Sequence, residues 1–509
     1  MDAERGSNQH NGLKRLTIVA GLASLAWFLF RVIPKPSRAA YPCQRAAAPL
    51  AGGFVVWLAG LISLRALHRR ARALSHRYRW AAAAAVLAMA VTALWLPLGV
   101  TTEATAQEGF TPSEPPNQPM GVGQGIHPGR VVWAYAPEAA RWDGQTGQWW
   151  DDANTDAGRV DQMVSGSLRS VAGQRTDKQA WNALFRHFNA TRGLGKDGYR
   201  RGEKIAVKIN ANQDRGSEWG TARGMPSPHV VYALVAQLVN AAGVPAEDIT
   251  VYDATRYIGD PIYKKVRASF PGVQFVVTPG MAKEGRLAAA PDPASPVHFA
   301  DRALPAAQLP TCVTAAKYLI NLALLRPHTM FGVTLTAKNH FGSTYFADSG
   351  RWTPAPLHNY GSRNRPMGSY NCLVDLIGHR HLGGKTLLYM LDGLYPAEHN
   401  EGRVFRFASF GDRWAASLLT SQDPVAIDSV ALDLLRSEPR ATQVRGNPDN
   451  YLHEAALANK PPSGTVYDPE RDGKPLASLG VHEHWNNARD KQYSRNLGKK
   501  EGIELVRWP

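Results

Sequence analysis

The stretch from Lys317 to Ser343 constrains the fold more than any other part of the sequence. It opens with the run KYLINLALL, which is mostly apolar and shows no alternation of polar and apolar residues. Such a run is typical of a strand that is buried on both faces of a sheet. The chain leaves this strand through an Arg-Pro-His triplet at 326–328 and reaches a Lys-Asn-His triplet at 338–340. We therefore expect a buried strand with polar groups gathered beyond its carboxyl end.

Short apolar strands alternate with helices on both sides of this stretch. Alternation over this length predicts a mostly parallel sheet covered by helices on both faces, the α/β class. One helix is marked at both ends, because Ser227 and Pro228 are typical of a helix start and Gly243 of a helix end. The predicted strands are 130–136, 204–210, 248–253, 273–277, 317–325, 385–392 and 414–420, and the predicted helices are 157–172, 177–190, 227–243, 261–270, 370–379 and 424–436.

Three apolar runs without charged residues precede the α/β region. They are Leu16–Phe30, Ala46–Leu64 and Trp80–Thr102, with 15, 19 and 23 residues. A helix that spans a bilayer needs about 20 residues, so the second and third runs are long enough and the first is short. We expect residues 1–106 to form a membrane anchor with two or three transmembrane helices.

The remainder of the chain is expected to comprise a linker and one soluble domain. Residues 107–127 are rich in Pro, Gly and Gln, which is typical of a linker. Residues 128–509 are the predicted soluble α/β domain.

The distribution of charge favours membrane attachment over nucleic-acid binding. The chain has a net charge of +16, and residues 1–106, with 13 Lys and Arg against 3 Asp and Glu, account for +10 of it. The loop at 65–79 has six arginines and no acidic residue, so the positive-inside rule makes this loop cytoplasmic and the soluble domain extracytoplasmic. Basic residues at 31–45 oppose this topology. Cleavage at the Ala-Thr-Ala sequence 104–106 is an alternative to a permanent anchor at the inner, cytoplasmic membrane.

The cysteines and the missing nucleotide motifs exclude several common classes. Cys43, Cys312 and Cys372 form no Cys-x-x-Cys or Cys/His zinc pattern, which disfavours a structural zinc of that kind and a cysteine-ligated iron–sulfur cluster. Cys312 and Cys372 are either a disulfide or two buried thiols. The sequences GxxxxGK[ST], GxGxxG after a strand and GxSxG are absent, which disfavours a P-loop ATPase, a Rossmann dehydrogenase and a lipase-type hydrolase.

Polar residues follow the predicted strands at the points where they end. The carboxyl ends of parallel strands meet at one edge of the sheet, and open α/β sheets bind ligands there. We therefore expect these residues to converge on one site, although turn or helix-cap roles are the alternative for the aspartates. The residues are Asn210, Asn212, Asp253, His328, Asp392 and Asp423.

The Lys-Asn-His triplet adds candidate catalytic groups to this edge. Lys338 would supply a positive charge for a phosphate or carboxylate, or a reactive amine if burial lowered its pKa. Asn339 would help to orient the ligand. His328 and His340 are candidates for proton transfer or metal ligation, and Asp253 would assist. The alternatives are a solvated lysine and hydrogen-bonded structural histidines.

A second constellation is His482-Glu483-His484. In an extended segment His482 and His484 lie on one face and could share a divalent metal. A third ligand would come from elsewhere, such as Asp392 or His328. The alternative for this pattern is a surface loop.

Several segments in this order are similar to those of one family. VKINAN at 207–212 resembles a characteristic Lys-Pro-Asn strand end, with Ile209 in place of the proline. The central strand with VTLTAKNHFG at 333–342 resembles the family's main signature, although Arg-Pro-His stands where Lys-x-His is usual. SQDPVAIDSVALDLL at 421–435 resembles its closing helix, and LGVHEHWNN at 479–487 also recurs.

The family is the bacterial and archaeal domain-of-unknown-function 362 family, which the chain resembles at about 200–440 and more loosely at 130–490. The resemblance implies an α/β fold and a shared site, with no known reaction. Some members are fused to iron–sulfur modules, for which this chain lacks the cysteines.

Two functional hypotheses follow. The first is a membrane-anchored enzyme that binds a small anion or a metal at the sheet edge. The second is a non-catalytic ligand-binding or assembly factor for a membrane complex. They differ in geometry, because catalysis requires His328, Lys338, His340 and an aspartate within reach of one cavity.

Overall fold

The computed structural model describes residues 114–508 and the single residue Ala26. Among these residues, no helix combines the length and the apolar character needed to cross a membrane. The predicted anchor rests on Leu16–Phe30, Ala46–Leu64 and Trp80–Thr102, which lie outside the described residues apart from Ala26. The membrane topology therefore stays a prediction.

The described part of the chain is an α/β fold. The strands are β1 (Met120–Gly121), β2 (Arg130–Tyr135), β3 (Ile205–Ile209), β4 (Ile249–Asp253), β5 (Gln274–Val277), β6 (Leu287–Ala288), β7 (Pro291–Val297), β8 (Ala307–Pro310), β9 (Tyr318–Leu324), β10 (Arg326–His328), β11 (Gly332–Thr334), β12 (Tyr345–Phe346), β13 (Arg351–Trp352), β14 (Thr386–Gly393), β15 (Ser417–Ser421), β16 (Val481–His482) and β17 (Glu504–Trp508). The helices are α1 (Ala157–Ala172), α2 (Asp177–Thr191), α3 (Pro228–Ala236), α4 (Asp260–Ser269), α5 (Thr311–Thr314), α6 (Thr336–Asn339), α7 (Cys372–Gly378), α8 (Pro424–Arg436) and α9 (Asn450–Ala456).

Nine of the described strands form a central sheet in the order β17-β2-β15-β14-β9-β3-β4-β5-β6. Neighbouring strands are parallel except at β15, which runs antiparallel to both β14 and β2. The predicted mostly parallel sheet is thus confirmed, with one reversed strand. Because of this reversal, the carboxyl end of β15 lies at the edge opposite to that of the other eight strands.

The central strand β9 is buried along its whole length. Its side chains alternate between two apolar cores, one shared with α1 to α4 and the other with α6 to α9. Ile320 and Leu322 belong to the first core, and Leu319 and Ala323 to the second. Full burial of one Leu or Ile side chain contributes about 1.5–3 kcal/mol. Packing on both faces therefore holds β9 firmly and fixes the position of the residues that follow its carboxyl end.

Most predicted elements begin and end within one or two residues of the observed ones. One exception is the predicted helix 227–243, since α3 ends at Ala236 and a π-helical turn continues it only to Ala241. The other is β15, predicted for 414–420 and found at Ser417–Ser421. Ala416 has a φ of 39°, a left-handed backbone conformation that interrupts an extended strand. The apolar pattern of the sequence carries no sign of this backbone turn.

Residues 114–127, which belong to the predicted linker 107–127, contact the α/β domain. Strand β1 pairs antiparallel with β16. The backbone N–H of Gln124 donates to Asp423 Oδ2 at 2.8 Å, and that of Asn117 donates to the carbonyl of His484 at 2.9 Å. These contacts use backbone donors, which every non-proline residue has, and composition therefore does not indicate them.

A hairpin and a short helix cover the carboxyl end of β9. Strands β10 and β11 pair antiparallel, with Arg326 opposite Thr334. Helix α6 begins two residues after this hairpin and carries Lys338 and Asn339. The central stretch of the sequence thus folds back over the edge of the sheet.

Cys312 and Cys372 are free thiols, with Cys372 buried and Cys312 half-buried. Of the two predicted alternatives, the structure has the one without a disulfide.

Candidate functional site

A polar cavity of about 280 Å³ lies beyond the carboxyl ends of β3, β4 and β9. Residues that directly follow or end these strands contribute to its lining, as expected for an open α/β sheet. The cavity brings together six of the residues predicted from the sequence. They are Asn210, Asn212, Asp253, His328, Lys338 and Asn339.

Lys208 holds one wall of this cavity together. Its side chain is only 1% exposed, and Nζ donates to Asp253 Oδ2 at 3.1 Å and to Asn339 Oδ1 at 3.2 Å. Asp253 also accepts hydrogen bonds from the backbone of Ala211 and from Thr255. Burial lowers the pKa of Lys208, and the adjacent carboxylate opposes that shift. Asp253, which is predicted to assist catalysis, is therefore committed to a buried ion pair.

Gly342 is a glycine because this ion pair occupies the space of a side chain. A Cβ at this position would lie 2.4 Å from Lys208 Nζ and 2.7 Å from Asp253 Oδ1. The carbonyl of Gly342 also accepts a hydrogen bond from the backbone of Ala254 at 2.9 Å. The glycine that follows the Lys-Asn-His triplet thus permits a close approach between α6 and the ends of β3 and β4.

Lys338 and Arg326 keep hydrogen-bond donors without partners among the described residues. The Lys338 ammonium lies over the rings of Phe331 and Phe341, 4.9 and 4.4 Å from their centroids, and makes no hydrogen bond within the described part of the chain. Arg326 donates from Nη2 to Asn210 Oδ1 at 2.8 Å and from Nη1 to a backbone carbonyl at 3.1 Å. Its Nε is buried and meets no acceptor there.

Burial makes both cations easier to deprotonate. It lowers the pKa of Lys338 to about 7, and the positive charge of Arg326 adds to this effect. It also lowers the pKa of Arg326 to about 9. Lys338 therefore exchanges its proton near neutral pH. An anion in the cavity would supply the acceptor and the opposite charge that this ammonium lacks.

His328 and His358 offer complementary hydrogen-bonding atoms to the cavity that they line. Nδ1 of His328 accepts from the backbone of Met330 at 3.0 Å, so the proton of this ring is on Nε2. Nδ1 of His358 lies 3.0 Å from the carbonyl of Pro354, which can only accept, so Nε2 of this ring carries a lone pair. Burial, followed by the charge of Lys338, lowers the pKa of both rings, to about 3 for His358. The neutral pair thus presents one donor and one acceptor.

Three predicted residues do not line the cavity. His340 is fully buried and its Nε2 lies 3.2 Å from the side-chain nitrogen of Asn321 on β9. Asp392 accepts from the backbone of Ser227 at 2.6 Å and so caps the start of α3. Asp423 caps α8 at the opposite edge, because it follows the reversed strand β15. The predicted convergence on one site thus fails for these three residues, although of them only Asp423 lies at the opposite edge of the sheet.

Asp428, the second aspartate of the DPVAID sequence at 423–428, has a structural role. Its two oxygens accept from Thr336 N at 2.9 Å, Thr336 Oγ1 at 2.7 Å and Ala337 N at 3.0 Å. Tyr451 donates to it as well, at 3.1 Å. Burial raises the pKa of Asp428 to about 6. Asp428 therefore caps α6 from another helix and fixes the position of Lys338.

His482 and His484 meet a third histidine and a carboxylate apart from the cavity. The Nε2 atoms of His453, His482 and His484 lie 2.7, 3.0 and 3.0 Å from Glu114 Oε1. The His-x-His pair thus shares a face, as expected for an extended segment. The additional carboxylate is Glu114 and not the predicted Asp392. Within residues 114–508, the set with metal-ligand spacing is Glu114, His482 and His484.

Sequence reasoning missed several of these residues for different reasons. Lys208 had a signal, because a lysine inside an otherwise apolar strand needs a partner. Arg326 was noted only as part of a triplet. His358, His453 and Glu114 stand in segments without a motif, and folding alone brings them to the two sites.

The comparison with known families agrees with the resemblance seen in the motifs. Residues 205–433 match the family model described as Domain of unknown function (DUF362). Nothing among the curated proteins matches the chain. The matched segment includes the strand ends and α6, which form most of the cavity, and α8, which supports them. Glu114 and the three clustered histidines lie outside it.

Proposed function

We propose that the cavity at the carboxyl edge of the central sheet binds a small anion with a carboxylate or phosphate group. The observation that carries this proposal is the buried Lys338 ammonium, which has no hydrogen-bond or carboxylate partner among the described residues. A buried charge without a partner is costly, and an anionic ligand would remove that cost. Arg326, which also lines the cavity, would add a second positive charge.

The balance of charge in the cavity supports an anion over a cation. Asp253 is neutralised by Lys208, and Glu401 is exposed. Within residues 114–508, the other cations of the lining, Arg256, Arg326 and Lys338, form no ion pair with a carboxylate. The lining contains the cations Lys208, Arg256, Arg326 and Lys338 and the carboxylates Asp253 and Glu401.

The two histidines and Lys338 would allow proton transfer to or from the bound ligand. His328 would donate from Nε2, and the Nε2 lone pair of His358 would accept a proton. Lys338, with its pKa near 7, would donate as a cation or accept as an amine. A non-catalytic ligand-binding or assembly role would need only the anion contacts, so chemical change of a bound ligand distinguishes the two hypotheses.

Sulfate and inorganic phosphate are expected to bind the full chain in detergent, and Lys338→Met to weaken binding about 10- to 150-fold. A hydrogen bond to a charged group contributes about 1.5–3 kcal/mol, and about 1.4 kcal/mol corresponds to a factor of ten. Isothermal titration calorimetry at constant ionic strength, with chloride as the reference anion, measures this. Lys264→Met removes a lysine that is 74% exposed and should change nothing. Equal affinities for wild type and Lys338→Met would contradict the proposal.

The pH dependence of sulfate binding provides an internal control, because sulfate keeps its charge between about pH 6 and 9. Protonated Lys338 binds the anion and the neutral amine does not. Affinity should therefore be constant below the pKa of about 7 and fall above it, by up to about tenfold per pH unit. The Lys338→Met variant should lack this decline.

We also propose that the protein is anchored in the inner membrane with residues 128–509 on the extracytoplasmic side. The three apolar runs and the arginine-rich loop at 65–79 support this. A full chain with a C-terminal tag should stay in the membrane fraction after carbonate extraction. Protease added to intact spheroplasts should remove the tag. A tag that is cleaved only after lysis, or a chain extracted by carbonate, would contradict this topology.

A further inference from the structure

Glu114, His453, His482 and His484 converge in a way that hydrogen bonding alone does not explain. Three imidazole Nε2 atoms lie 2.7, 3.0 and 3.0 Å from one carboxylate oxygen, Glu114 Oε1. The side chains of His482 and His484 are 0% and 3% exposed, and those of Glu114 and His453 are 11% and 12% exposed.

His482 presents a lone pair to Glu114. Ser429 Oγ donates its single proton to the carbonyl of Val425 at 2.7 Å. It must therefore accept from His482 Nδ1, which lies 2.8 Å away. In the neutral ring, Nε2 is then unprotonated and faces Glu114 Oε1.

His484 is oriented in the same way by a carboxylate. Its Nδ1 lies 2.7 Å from Asp433 Oδ1. The other oxygen of Asp433 accepts from Trp485 N at 3.1 Å and Tyr493 OH at 2.9 Å. Nδ1 of His484 therefore carries a proton, and in the neutral ring the Nε2 lone pair points to Glu114. A carboxylate or hydroxyl on the far nitrogen is the usual way in which proteins orient metal-binding histidines.

Two lone pairs and a carboxylate oxygen at these distances repel one another unless a cation lies among them. A further negative group faces the same place. Asp449 Oδ1 accepts from Arg436 Nη2 at 3.1 Å and lies 3.7 Å from His484 Nε2, and Asp449 Oδ2 is buried without a hydrogen-bond partner in the described part of the chain. One divalent ion would accept both nitrogen lone pairs and bind the Glu114 carboxylate, whereas protons on these nitrogen atoms would place two imidazolium ions side by side in a buried site.

We propose that Glu114, His453, His482 and His484 bind one divalent transition-metal ion of the zinc class. Imidazole-rich sets favour zinc and its neighbours, whereas calcium and magnesium prefer oxygen ligands throughout. Tetrahedral bonds of about 2.0–2.1 Å place the ligand atoms about 3.3 Å apart, so each Nε2 atom would move a few tenths of an ångström away from Glu114 Oε1.

The position of the ligands assigns this ion a structural role. Four protein ligands close a tetrahedral shell and leave no position for a substrate. Glu114 belongs to the N-terminal segment that carries β1, whereas His453 lies on α9 and His482 on β16. The metal would therefore fasten the segment 114–121 to the C-terminal part of the domain. The proposed metal site shares no residue with the cavity, so a test that contradicts anion binding would leave the metal proposal unchanged.

The full chain, produced in zinc-supplemented medium and purified in detergent without chelators, is expected to contain one zinc per chain by elemental analysis and native mass spectrometry. His482→Ala and His484→Ala should each lower the zinc content to about a tenth or less. The matched control is His229→Ala, which removes another buried histidine that pairs with Asp152. It should keep its zinc. Equal zinc content in all three variants would overturn the proposal.

A second measurement, on the wild-type chain, tests the site even if the histidine variants fail to fold. Chelation of the wild-type chain should lower its Tm, and added zinc, but not magnesium, should restore it. Asp433→Asn keeps all four ligands and loses only the carboxylate behind His484, so zinc affinity should fall about 10- to 100-fold. A folded wild-type chain that carries no metal and binds no added zinc would refute the site.

Discussion

Asp428→Ala is expected to destabilise the protein by about 4 kcal/mol or more and to abolish anion binding. Asp428 is fully buried, and its oxygens accept from two backbone N–H groups and from the hydroxyls of Thr336 and Tyr451. A buried donor left without an acceptor costs about 1–3 kcal/mol, and four donors lose theirs here. Two of them begin α6, so the helix that carries Lys338 would lose its cap.

Thermal or denaturant unfolding followed by tryptophan fluorescence, together with sulfate calorimetry, measures both effects of Asp428→Ala. Asp428→Asn keeps one acceptor oxygen and should lose less stability. Asp348→Ala is the matched control, because Asp348 is exposed and such substitutions change stability by about 0.5 kcal/mol or less. An Asp428→Ala chain as stable as this control, with sulfate binding intact, would show that Asp428 does not position α6.

Lys208→Met is expected to cost about 3–5 kcal/mol of stability, because it leaves Asp253 buried without its counter-ion. The side chains of Lys208 and Asp253 are 1% and 4% exposed, and Nζ also bonds Asn339. Methionine replaces most of the aliphatic stem, so the lost charge is the main change. The double variant Lys208→Met, Asp253→Asn removes both charges and should recover much of the loss.

Unfolding of the two Lys208 variants beside Lys196→Met, which alters an exposed lysine, tests this ion pair. A double variant no more stable than Lys208→Met would mean that packing around the lysine matters more than its charge.

Lys338→Met provides a contrast, since Lys338 has no carboxylate partner among the described residues. Its removal should leave stability unchanged or raise it while anion binding falls. Lys208 would then stabilise the fold, and Lys338 would bind the ligand.

The alternation of strands and helices was predictable because the burial of each element determines the pattern of apolar residues in its own segment of the sequence. The run KYLINLALL indicates a strand that is buried on both faces, and β9 is that strand. Ser227, with Pro228 after it, starts α3 as predicted, and its side chain accepts from Val230 N. These signals involve residues only a few positions apart, so they can be recognised in the sequence before the fold is known.

The gathering of Asn210, Asp253 and His328 at one cavity was predictable for a related reason. In a parallel sheet the carboxyl ends meet, so the position of a residue after its strand places it in space. This inference needs only the direction of the strands. It holds for β3, β4 and β9, which are parallel, and it fails for Asp423 because β15 is reversed. An apolar run is the same in either direction, so hydrophobic pattern could not show the reversal.

Contacts between distant segments were decided only by the tertiary structure. Asp428 caps a helix that begins 92 residues earlier in the chain, and Glu114 meets His482 across 368 residues. Neither partner changes the local pattern around the other. Sequence therefore determined the strands, the helices and the residues at the ends of parallel strands, since burial and backbone preference act locally. Folding determined which charges meet, because that depends on the packing of elements that are far apart in the chain.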